Sequence, residues 1–599
     1  MFSHRRIAPA AFTLAGLFAL CALCALCAVA PVSAATAAKP NVLTIMVDDL
    51  DEDMFDLLLE NGWLPNIEHY LLEQGTRFDN SFVSDPVCCP SRTTYITGQY
   101  VKNHGVLGVT KGVAYWYWDE EADNPENRAM AVQMQRAGYF TGHVGKYLNG
   151  YGMYSPAEYT PEGYDQWYGL LDPTTYDMYD YRMNVTRDGN TEIVQYQGYD
   201  AAHYQTDVLR DRALDFLAAA DQQLRPFFLT VTPVAPHIET ISFSSDEALG
   251  YKALFREYIR PAPRHECLVS DYVDHEVDAS NEVCLRELPD SLAFLEAKPA
   301  FNVLGYDKHP RLTELPQTLT EADGDFVALE RQHQMRMASM LAVDDLVGSL
   351  LSQLEADGRL DNTVVLFTSD NGYFHGEHAL DSKLLAYEES IRVPLLVRGP
   401  GIAGGARLPD VVINNDLAPT IADYGDAHPI RPGDAYDGRS LRARLEGGRR
   451  LARRQFMTEH FIEATAQELA AEYPQFEELT DEAIEYIENL AGIELGSLTD
   501  LAYPAFKALR RTDASGSWLY LQWYANETND GPWVVDFEEL YQLDSDVDQL
   551  VNLVPNAEND ESLQAQLVSM RQDLDAMKEC AGENCQRIED RVSPVALRR

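Results

Sequence analysis

Short apolar runs of strand length alternate along this chain with longer helical patterns. Residues 41–50, NVLTIMVDDL, and residues 362–372, NTVVLFTSDNG, are two such runs, and both are typical of buried strands. Because strands that alternate with helices form a mostly parallel sheet, the sequence predicts an α/β fold. The chain has 599 residues, of which 46% are hydrophobic, so it can bury one large domain and a smaller one.

Oxygen-bearing side chains follow both of these runs directly. Asp48 and Asp49 end the first run, and Asp370 and Asn371 end the second. Because chemistry in such folds gathers at the carboxyl ends of the strands, we expect these four side chains to lie together. Their oxygen ligands favour Ca²⁺ or Mg²⁺ over zinc. Either pair alone is more often a turn or the start of a helix.

Four cationic side chains accompany these acidic pairs. His237 follows the apolar run RPFFLTVTPVAPHIE, and Lys146 lies in GYFTGHVGKYLNGYG. Lys383 comes shortly after the second acidic pair, and Arg92 is the arginine of CCPSR. A lone histidine is usually structural and a lone lysine usually solvated. Together with a divalent cation, however, these groups indicate a site for a tetrahedral oxyanion.

Two adjacent cysteines, Cys88 and Cys89, begin a predicted helix. Pro90 suits the first turn of a helix, where unpaired backbone N–H groups face an anion. A nucleophile at either cysteine would face the bound group and the metal. Because a thiolate is a soft ligand that suits calcium poorly, an oxygen nucleophile is more sensible here. Two buried thiols that behave as small apolar residues are the simpler alternative.

Residues 1–34 have the pattern of a secretory signal. A basic start, MFSHRR, precedes a long apolar stretch, and Val32-Ser33-Ala34 before Ala35 has the small residues of a signal-peptidase site. A retained N-terminal anchor is the alternative. We expect a secreted or periplasmic protein with no stable membrane anchor.

Two short disulfide loops are predicted in the mature chain, Cys267–Cys284 and Cys580–Cys585. In an oxidising compartment these are the natural pairs, because each closes a short loop. Cys88 and Cys89 are left over, since neighbouring cysteines bridge only with a strained peptide.

The formal net charge of −48 bears on the partners of this chain. Nothing in the sequence resembles the basic stripe of a nucleic-acid-binding protein, so we expect no nucleic acid partner. An anionic substrate would have to be drawn in by a local cluster of cations that works against the overall field. Solubility in a saline environment is a simpler reason for the bulk charge.

These motifs resemble those of the sulfatase family in the alkaline-phosphatase superfamily. The family signature Cys-x-Pro-Ser-Arg is similar to CCPSR at residues 88–92, and its Thr-Gly is matched by Thr97-Gly98. A second signature is similar to GYFTGHVGKYL at residues 138–148. Further similar stretches are PNVLTIMVDDL, DNGYFHGEHAL, YEESIRVPLLVRGPGI, INNDLAPTIADYG, DGRSL and FEELYQLDSDVDQLVNL.

The resemblance implies an alkaline-phosphatase-like fold, in which helices flank a large mostly parallel sheet and a smaller C-terminal α+β subdomain follows. We expect the signal segment at 1–34, the catalytic domain at 35–450 and the C-terminal subdomain at 451–599. Residues at about 463–503 are predicted to form an acidic helical insertion, which is either a solvated face or has a pocket-rim or partner role.

For the nucleophile and the metal, the resemblance implies a modified residue. In this family a sulfatase-maturing enzyme oxidises the first signature cysteine, here Cys88, to formylglycine, whose hydrated aldehyde is the nucleophile. Cys89 is then the variable neighbour. One calcium ion is expected, with five ligands: Asp48, Asp49, Cys88, Asp370 and Asn371.

For the sulfate group, the resemblance implies a set of cations. Arg92 steadies the hydrated aldehyde, while Lys146, His237 and Lys383 grip the sulfate. Either His237 or Lys383 protonates the departing alcohol.

One position departs from the family pattern. Many sulfatases read Gly-Lys-x-His where this chain reads Gly145-Lys146-Tyr147-Leu148-Asn149, so a histidine of the site is missing. Asn149 takes its place in our interpretation, but it cannot act as a base near neutral pH. His375 and His378 either line the substrate pocket or have surface or core roles.

The motifs GKYLNGYG and CCPSR most resemble those of one branch of the family, which contains N-acetylglucosamine-6-sulfatases, heparan 6-O-endosulfatases and some arylsulfatases. We therefore expect an exported, calcium-dependent sulfatase that acts on a sulfate monoester of a sugar, such as a 6-O-sulfated amino sugar. The alternatives are a broad arylsulfatase, a phosphonate or phosphate ester hydrolase with the same site, and an inactive binding protein of the same fold.

Overall fold

The structure is a computed structural model that describes residues 1, 39–109, 112–113, 116, 124–239, 259–268, 288–303, 305–310, 312, 325–462, 504–525 and 532–592. Three expected features lie outside these residues. They are the signal segment from residue 2 onward, the Cys267–Cys284 pair, of which Cys284 is not described, and the acidic insertion at 463–503. Everything described below belongs to the unit that begins at Pro40.

The described residues contain sixteen strands: β1 Asn41–Val47, β2 Thr76–Phe82, β3 Phe140–Gly145, β4 Gln166–Leu170, β5 Tyr181–Arg187, β6 Asn190–Tyr196, β7 Phe227–Thr232, β8 Thr363–Ser369, β9 Phe374–His375, β10 Asp381–Ser382, β11 Leu395–Arg398, β12 Ala406–Ile413, β13 Gln455–His460, β14 Phe506–Asp513, β15 Gly516–Tyr524 and β16 Val535–Gln542. Ten of them form one sheet in the order β12–β2–β11–β8–β1–β7–β3–β4–β5–β6. The central block from β8 to β4 is parallel throughout.

The register of β1 and β8 explains why their acidic pairs meet. Every residue of both strands is buried, as their continuous apolar sequences require. The strands pair in parallel from Asn41 beside Thr363 to Val47 beside Ser369. Both strands therefore end level, and the residues that come after them enter the same edge of the sheet.

The α-helices of the described residues are α1 Glu52–Glu60, α2 Pro65–Ile67, α3 Cys88–Thr97, α4 Val101–His104, α5 Met130–Arg136, α6 Gln205–Asp221, α7 Ser291–Glu296, α8 Asp325–Ala356, α9 Glu388–Ile391, α10 Leu417–Gly425, α11 Arg442–Leu445, α12 Val554–Ala557, α13 Glu561–Lys578 and α14 Glu583–Glu589. Helix α6 packs against β3 and β7, and α8 packs against α6. Helix α10 packs against α3, α5 and β1.

A second, antiparallel sheet has the order β13–β14–β15–β16, and α13 packs against β13 and β14. The structure contains the Cys580–Cys585 disulfide just beyond α13. The predicted architecture, a large mostly parallel sheet flanked by helices with a smaller C-terminal α+β part, is confirmed. Within the described residues, no helix combines the length and apolar character that a membrane span requires.

Candidate functional site

Four neighbouring strands, β8, β1, β7 and β3, deliver the predicted site residues to one edge of the sheet. Asp370 follows β8, and Asp48 follows β1. Lys146 follows β3, and the loop after β7 leads to His237. All four side chains are buried. The structure therefore brings these residues together, as expected for the carboxyl edge of a parallel sheet.

The acidic and amide side chains form a compact oxygen cluster. Asn371 Nδ2 donates to Asp49 Oδ1 at 2.7 Å, and the backbone N–H of Asp49 donates to Asp370 Oδ1 at 3.1 Å. Oxygen atoms of Asp48 and Asp49 and a ring nitrogen of His237 lie within 4.8 Å of one another. The cluster is small enough to surround one ion.

Two oxygen atoms of this cluster indicate that it fits a cation. Asp48 Oδ1 and Asn371 Oδ1 are buried and have no hydrogen-bond partner among the described residues. An acceptor buried in this way costs about 1–3 kcal/mol unless a ligand satisfies it. Hard oxygen donors of this kind suit Ca²⁺.

Each carboxylate of the cluster also has a cationic neighbour. Lys146 Nζ lies 2.6 Å from Asp48 Oδ2, and Lys383 Nζ lies 2.7 Å from Asp49 Oδ1. Arg92 Nε lies 2.7 Å from an oxygen of Asp370. The predicted cations therefore surround the predicted metal ligands.

These charges shift the pKa values of the carboxyl groups in opposite directions. Burial raises the pKa of Asp48, but Lys146 and Arg92 more than offset this effect and bring the pKa below its ordinary value. Burial and the neighbouring Asp48 raise the pKa of Asp370 to about 6. Of these two carboxyl groups, Asp370 is therefore the one whose charged form its surroundings disfavour.

Helix α3 places Cys88 beside this cluster. Cys88 is the first residue of the helix, and Gly98, in the left-handed conformation, caps its C-terminal end. Ser91 Oγ donates to the carbonyl oxygen of Asp370, which fastens the first turn to the loop after β8. Cys88 Sγ lies 3.6 Å from Asn149 Oδ1. Cys88 and its neighbour Cys89 are both buried, and neither is in a disulfide.

Two glycines allow close backbone approach at the site. Gly145, with a φ of 116°, precedes Lys146, and a Cβ there would lie 2.2 Å from the carbonyl oxygen of Thr232. Gly372 follows Asn371, and a Cβ there would lie 2.0 Å from a carbonyl oxygen of α9. Any other residue at these positions would displace Lys146 or Asn371.

Tyr176 is a site residue that the sequence did not reveal. Its hydroxyl accepts a hydrogen bond from Asn149 Nδ2 at 2.8 Å. Lys146 Nζ lies 4.5 Å from the centre of its ring, and the ring of His237 also lies 4.5 Å away, centre to centre. Tyr176 belongs to none of the predicted strand ends, so no local pattern marked it.

His375 and His378 are buried rather than exposed. His375 Nδ1 lies 3.7 Å from Asp51, and the ring of His378 lies 4.5 Å from the ring of Tyr387. Burial lowers the pKa of both histidines well below the ordinary value, so both rings are neutral. A role of either ring in substrate binding stays a prediction.

A metal-dependent site for a tetrahedral anion requires oxygen ligands for the metal and cations for the anion. This edge of the sheet has both, because lysine, arginine and histidine side chains surround its buried oxygen atoms. Comparison with known families identifies the class more closely. The family model described as Sulfatase matches residues 40–427, and the chain belongs to this family. A second model, N-sulphoglucosamine sulphohydrolase, C-terminal, matches residues 376–501.

Individual relatives are similar over most of this chain. An arylsulfatase of Volvox carteri is 31% identical over 67% of this chain and 58% of its own length. Human N-acetylglucosamine-6-sulfatase is 30% identical over 69% of this chain and 65% of its own length. The matched region therefore spans about three fifths of these relatives.

A similar solved structure is a protein in complex with its substrate D-glucosamine-2-N,6-O-disulfate. It has a TM-score of 0.60 and 21% identity, and the match covers 92% of this chain and 99% of that one. At this identity the similarity concerns the fold.

Proposed function

We propose that this protein is a calcium-dependent sulfatase that hydrolyses a sulfate monoester of a carbohydrate. The observation that carries the proposal is the attachment of α3 to the oxygen cluster. Ser91 and Arg92 both bond to Asp370, and this supports residue 88, in the same helical turn, as the nucleophile beside a metal-bound anion.

Calcium would be held by Asp48, Asp49, Asp370 and Asn371 together with the residue at position 88. When bound, it supplies fixed positive charge for the sulfate oxygens. Formylglycine, made from Cys88 by a maturing enzyme, supplies a hydrated aldehyde as the oxygen nucleophile. Cys88 is buried at the start of a helix, so the modified side chain would be shielded from bulk water.

The remaining cations bind the anion and move a proton. Lys146 and Lys383 each present an ammonium group beside the cluster, which suits the developing charge on sulfate oxygens. His237 Nδ1 lies 2.6 Å from the carbonyl oxygen of Ile238, so Nδ1–H donates there and Nε2 faces Asp49 at 3.5 Å. In the imidazolium form, Nε2 also carries a proton and can pass it to the leaving alcohol, which leaves the neutral ring, and Lys383 is the other candidate donor.

A 6-O-sulfated amino sugar is the first substrate to test. The human relative is named for this sulfate position, and the similar solved structure holds a 2-N,6-O-disulfated glucosamine. The algal relative is named an arylsulfatase, which supports broad specificity as the second candidate. The charge of −48 favours mono- or lightly sulfated sugars over long polysulfated chains.

We also propose that the protein acts outside the cytoplasm after removal of residues 1–34, without a nucleic acid partner. Relatives named extracellular sulfatases support this location. Sequencing the N-terminus of the exported protein would test it, and a mature chain that still begins before Ala35 would contradict it.

The activity is tested with protein produced together with a sulfatase-maturing enzyme. Glucosamine 6-sulfate, an aryl sulfate, a phosphate diester and a phosphonate monoester are compared, with Cys88→Ala as the matched control. We expect the protein to release sulfate from the sugar and the Cys88→Ala control to release none. In the active protein, residue 88 should have lost sulfur and two hydrogens and gained one oxygen. Faster turnover of the phosphonate, or full activity with an unmodified Cys88 thiol, would overturn the proposal.

A further inference from the structure

Arg336, on the long helix α8, contacts three of the four strand-end loops of the site. One terminal nitrogen donates to the carbonyl oxygen of Asp49, after β1. The other donates to the carbonyl oxygen of Pro236 at 3.1 Å, in the loop after β7. Its guanidinium carbon lies 3.9 Å from the centre of the ring of Tyr373, after β8.

The surroundings of Arg336 are unusual for a charged side chain. It is fully buried, and its two acceptors are backbone carbonyl oxygens rather than carboxylates. Its Nε has no hydrogen-bond partner among the described residues. Burying a cation in this way is costly. We therefore expect its hydrogen bonds to fix the backbone of these loops, which an apolar side chain could not do.

The backbone of Asp49 shows what one contact provides. Asp49 has a φ of 65°, a left-handed conformation that a residue with a side chain rarely adopts. Its carbonyl oxygen accepts from Arg336 while its carboxylate accepts from Asn371 and Lys383. The guanidinium therefore holds the backbone in the conformation that directs the carboxylate into the cluster.

We propose that Arg336 is a positioning residue that sets the relative placement of the metal ligands Asp49 and Asn371 and of the proton donor His237. Pro236 directly precedes His237, and Tyr373 lies two residues after Asn371. This inference rests on the proposed function for the roles of these residues. One planar group that bonds to two loops and stacks on a third fixes the distances between them.

The loop after β3 is held in a different way and serves as an internal control. The carbonyl oxygen of Lys146 accepts from Arg92 Nη1 at 3.1 Å and from Thr232 Oγ1 at 2.7 Å. Loss of the Arg336 guanidinium should therefore loosen the other three loops and leave this loop in place.

The test uses Arg336→Met, which removes the charge, and Arg336→Lys, which keeps it but cannot span two carbonyl groups. Arg511→Met is the matched control, because Arg511 is also a fully buried arginine but bonds to Gln455, Ser569 and Asp573 in the C-terminal part. All three proteins are purified as the full chain, and no substrate is needed.

Calcium affinity, measured by calorimetry, is the first readout. We expect Arg336→Met to raise the dissociation constant about 10–100-fold, as loss of an outer support of a metal site does. Simple electrostatics predicts the opposite, since removal of a positive charge should tighten calcium binding. Arg336→Lys should be weakened too, whereas Arg511→Met should lower the unfolding temperature and keep the dissociation constant within about twofold of wild type.

Backbone amide exchange, measured by mass spectrometry, is the second readout. In Arg336→Met and Arg336→Lys, exchange should become faster in residues 48–51, 234–238 and 370–374 but not in 146–149. Equal acceleration in all four segments, or none, would overturn the proposal, as would calcium binding as tight as in wild type.

The two readouts keep this proposal separate from the proposed function. A wild-type protein that binds calcium but releases no sulfate would contradict the function and leave the Arg336 test intact. If wild type binds no calcium, amide exchange alone decides. If Arg336→Met does not fold, Arg336→Lys decides, and wild-type behaviour of that variant refutes the positioning role.

Discussion

Two buried charge clusters differ in whether their oxygen atoms have hydrogen-bond donors. One is the candidate active site, and the second is formed by Arg453, Asp416 and Glu589. In the second cluster, both terminal nitrogens of Arg453 donate to Asp416, and Arg453 Nε donates to Glu589 at 2.8 Å. Every carboxylate oxygen there has a hydrogen-bond donor. In the active site, Asp48 Oδ1 and Asn371 Oδ1 have no such donor among the described residues.

This difference separates a cluster that fastens the fold from one whose oxygen atoms suit a ligand. Glu589 lies in α14, and Asp416 directly precedes α10, so the satisfied cluster joins segments that are distant in sequence. A buried acceptor without a donor is costly, so two such oxygens on the expected metal ligands Asp48 and Asn371 suit a bound cation. The comparison predicts that loss of a side chain affects stability in one cluster and chemistry in the other.

The largest effect is expected for Asn371→Ala, which removes one unsatisfied oxygen. We expect the rate of sulfate ester hydrolysis to fall about 1,000-fold or more, equivalent to about 4 kcal/mol, because the proposed calcium site would lose a ligand. Calcium affinity should fall, while the unfolding temperature of the metal-free protein changes little. Initial rates and calorimetry check this, with Asn371→Asp as the control that keeps an oxygen ligand. A rate within tenfold of wild type would contradict the assignment.

The second prediction reverses this pattern. Arg453→Met leaves two buried carboxylates without their main partner, so the free energy of unfolding should fall by about 3–4 kcal/mol. The loss stays in this range because Arg439 also donates to both carboxylates. Denaturant unfolding measures the loss, and activity per folded molecule should match wild type. A change in calcium affinity in the folded variant would show that the two clusters are not independent.

Much of the site could be predicted from the sequence because it depends on strand ends. The runs that contain Asp48 and Asp370 are continuous and apolar, and parallel strands direct the residues after them to one edge. Which strands would be neighbours could not be predicted, since the order β8–β1–β7–β3 is unrelated to chain order. Only packing decides that order.

Arg336 and Tyr176 could not be predicted for a related reason. Arg336 lies within a helical pattern, where an arginine normally faces water. Its burial results from how α8 packs against other helices and places this side chain against the strand-end loops. The Arg453 cluster was also missed, because its three members come from segments far apart in the chain. Such contacts leave no local sequence signal.

The third prediction concerns Lys308, a buried cation outside both clusters. Its Nζ has no hydrogen-bond partner among the described residues and lies 3.6 Å from the centre of the Tyr387 ring. Burial lowers the pKa of Lys308 to about 8, although Glu539 and Glu389 favour the charged form. In the unfolded chain the pKa is near its ordinary value of 10.5.

This difference gives the sign of the pH dependence. Below pH 8 both states hold the proton, so the cost of the buried charge is fully present. Between pH 8 and 10.5 the folded state loses its proton first, so wild type gains stability relative to Lys308→Met. The difference in the free energy of unfolding between Lys308→Met and wild type should therefore shift by about 2–3 kcal/mol in favour of wild type over this range. Unfolding curves of both proteins from pH 7 to 10.5 measure it, and a constant difference would contradict it.

The smallest effect is expected for Tyr176→Phe, which removes one hydroxyl and keeps the ring beside Lys146 and His237. The hydroxyl holds the amide of Asn149 so that its oxygen faces Cys88. We expect kcat to fall about tenfold, equivalent to about 1.4 kcal/mol, with little change in KM.

The control for this change comes from the satisfied cluster. Tyr100 donates its hydroxyl to Glu589 at 2.8 Å, so Tyr100→Phe should lower the free energy of unfolding by about 1–2 kcal/mol and leave kcat unchanged. Asn149→Ala should reproduce the loss of kcat, and the double variant Tyr176→Phe/Asn149→Ala should lose little more, because the two groups act through one hydrogen bond. If the two losses multiply instead, Tyr176 does not act through Asn149. If Tyr176→Phe instead lowers the free energy of unfolding and leaves kcat unchanged, as expected for Tyr100→Phe, the Tyr176 hydroxyl stabilises the fold and does not orient the site. Only a group that orients the site should lower kcat without lowering stability.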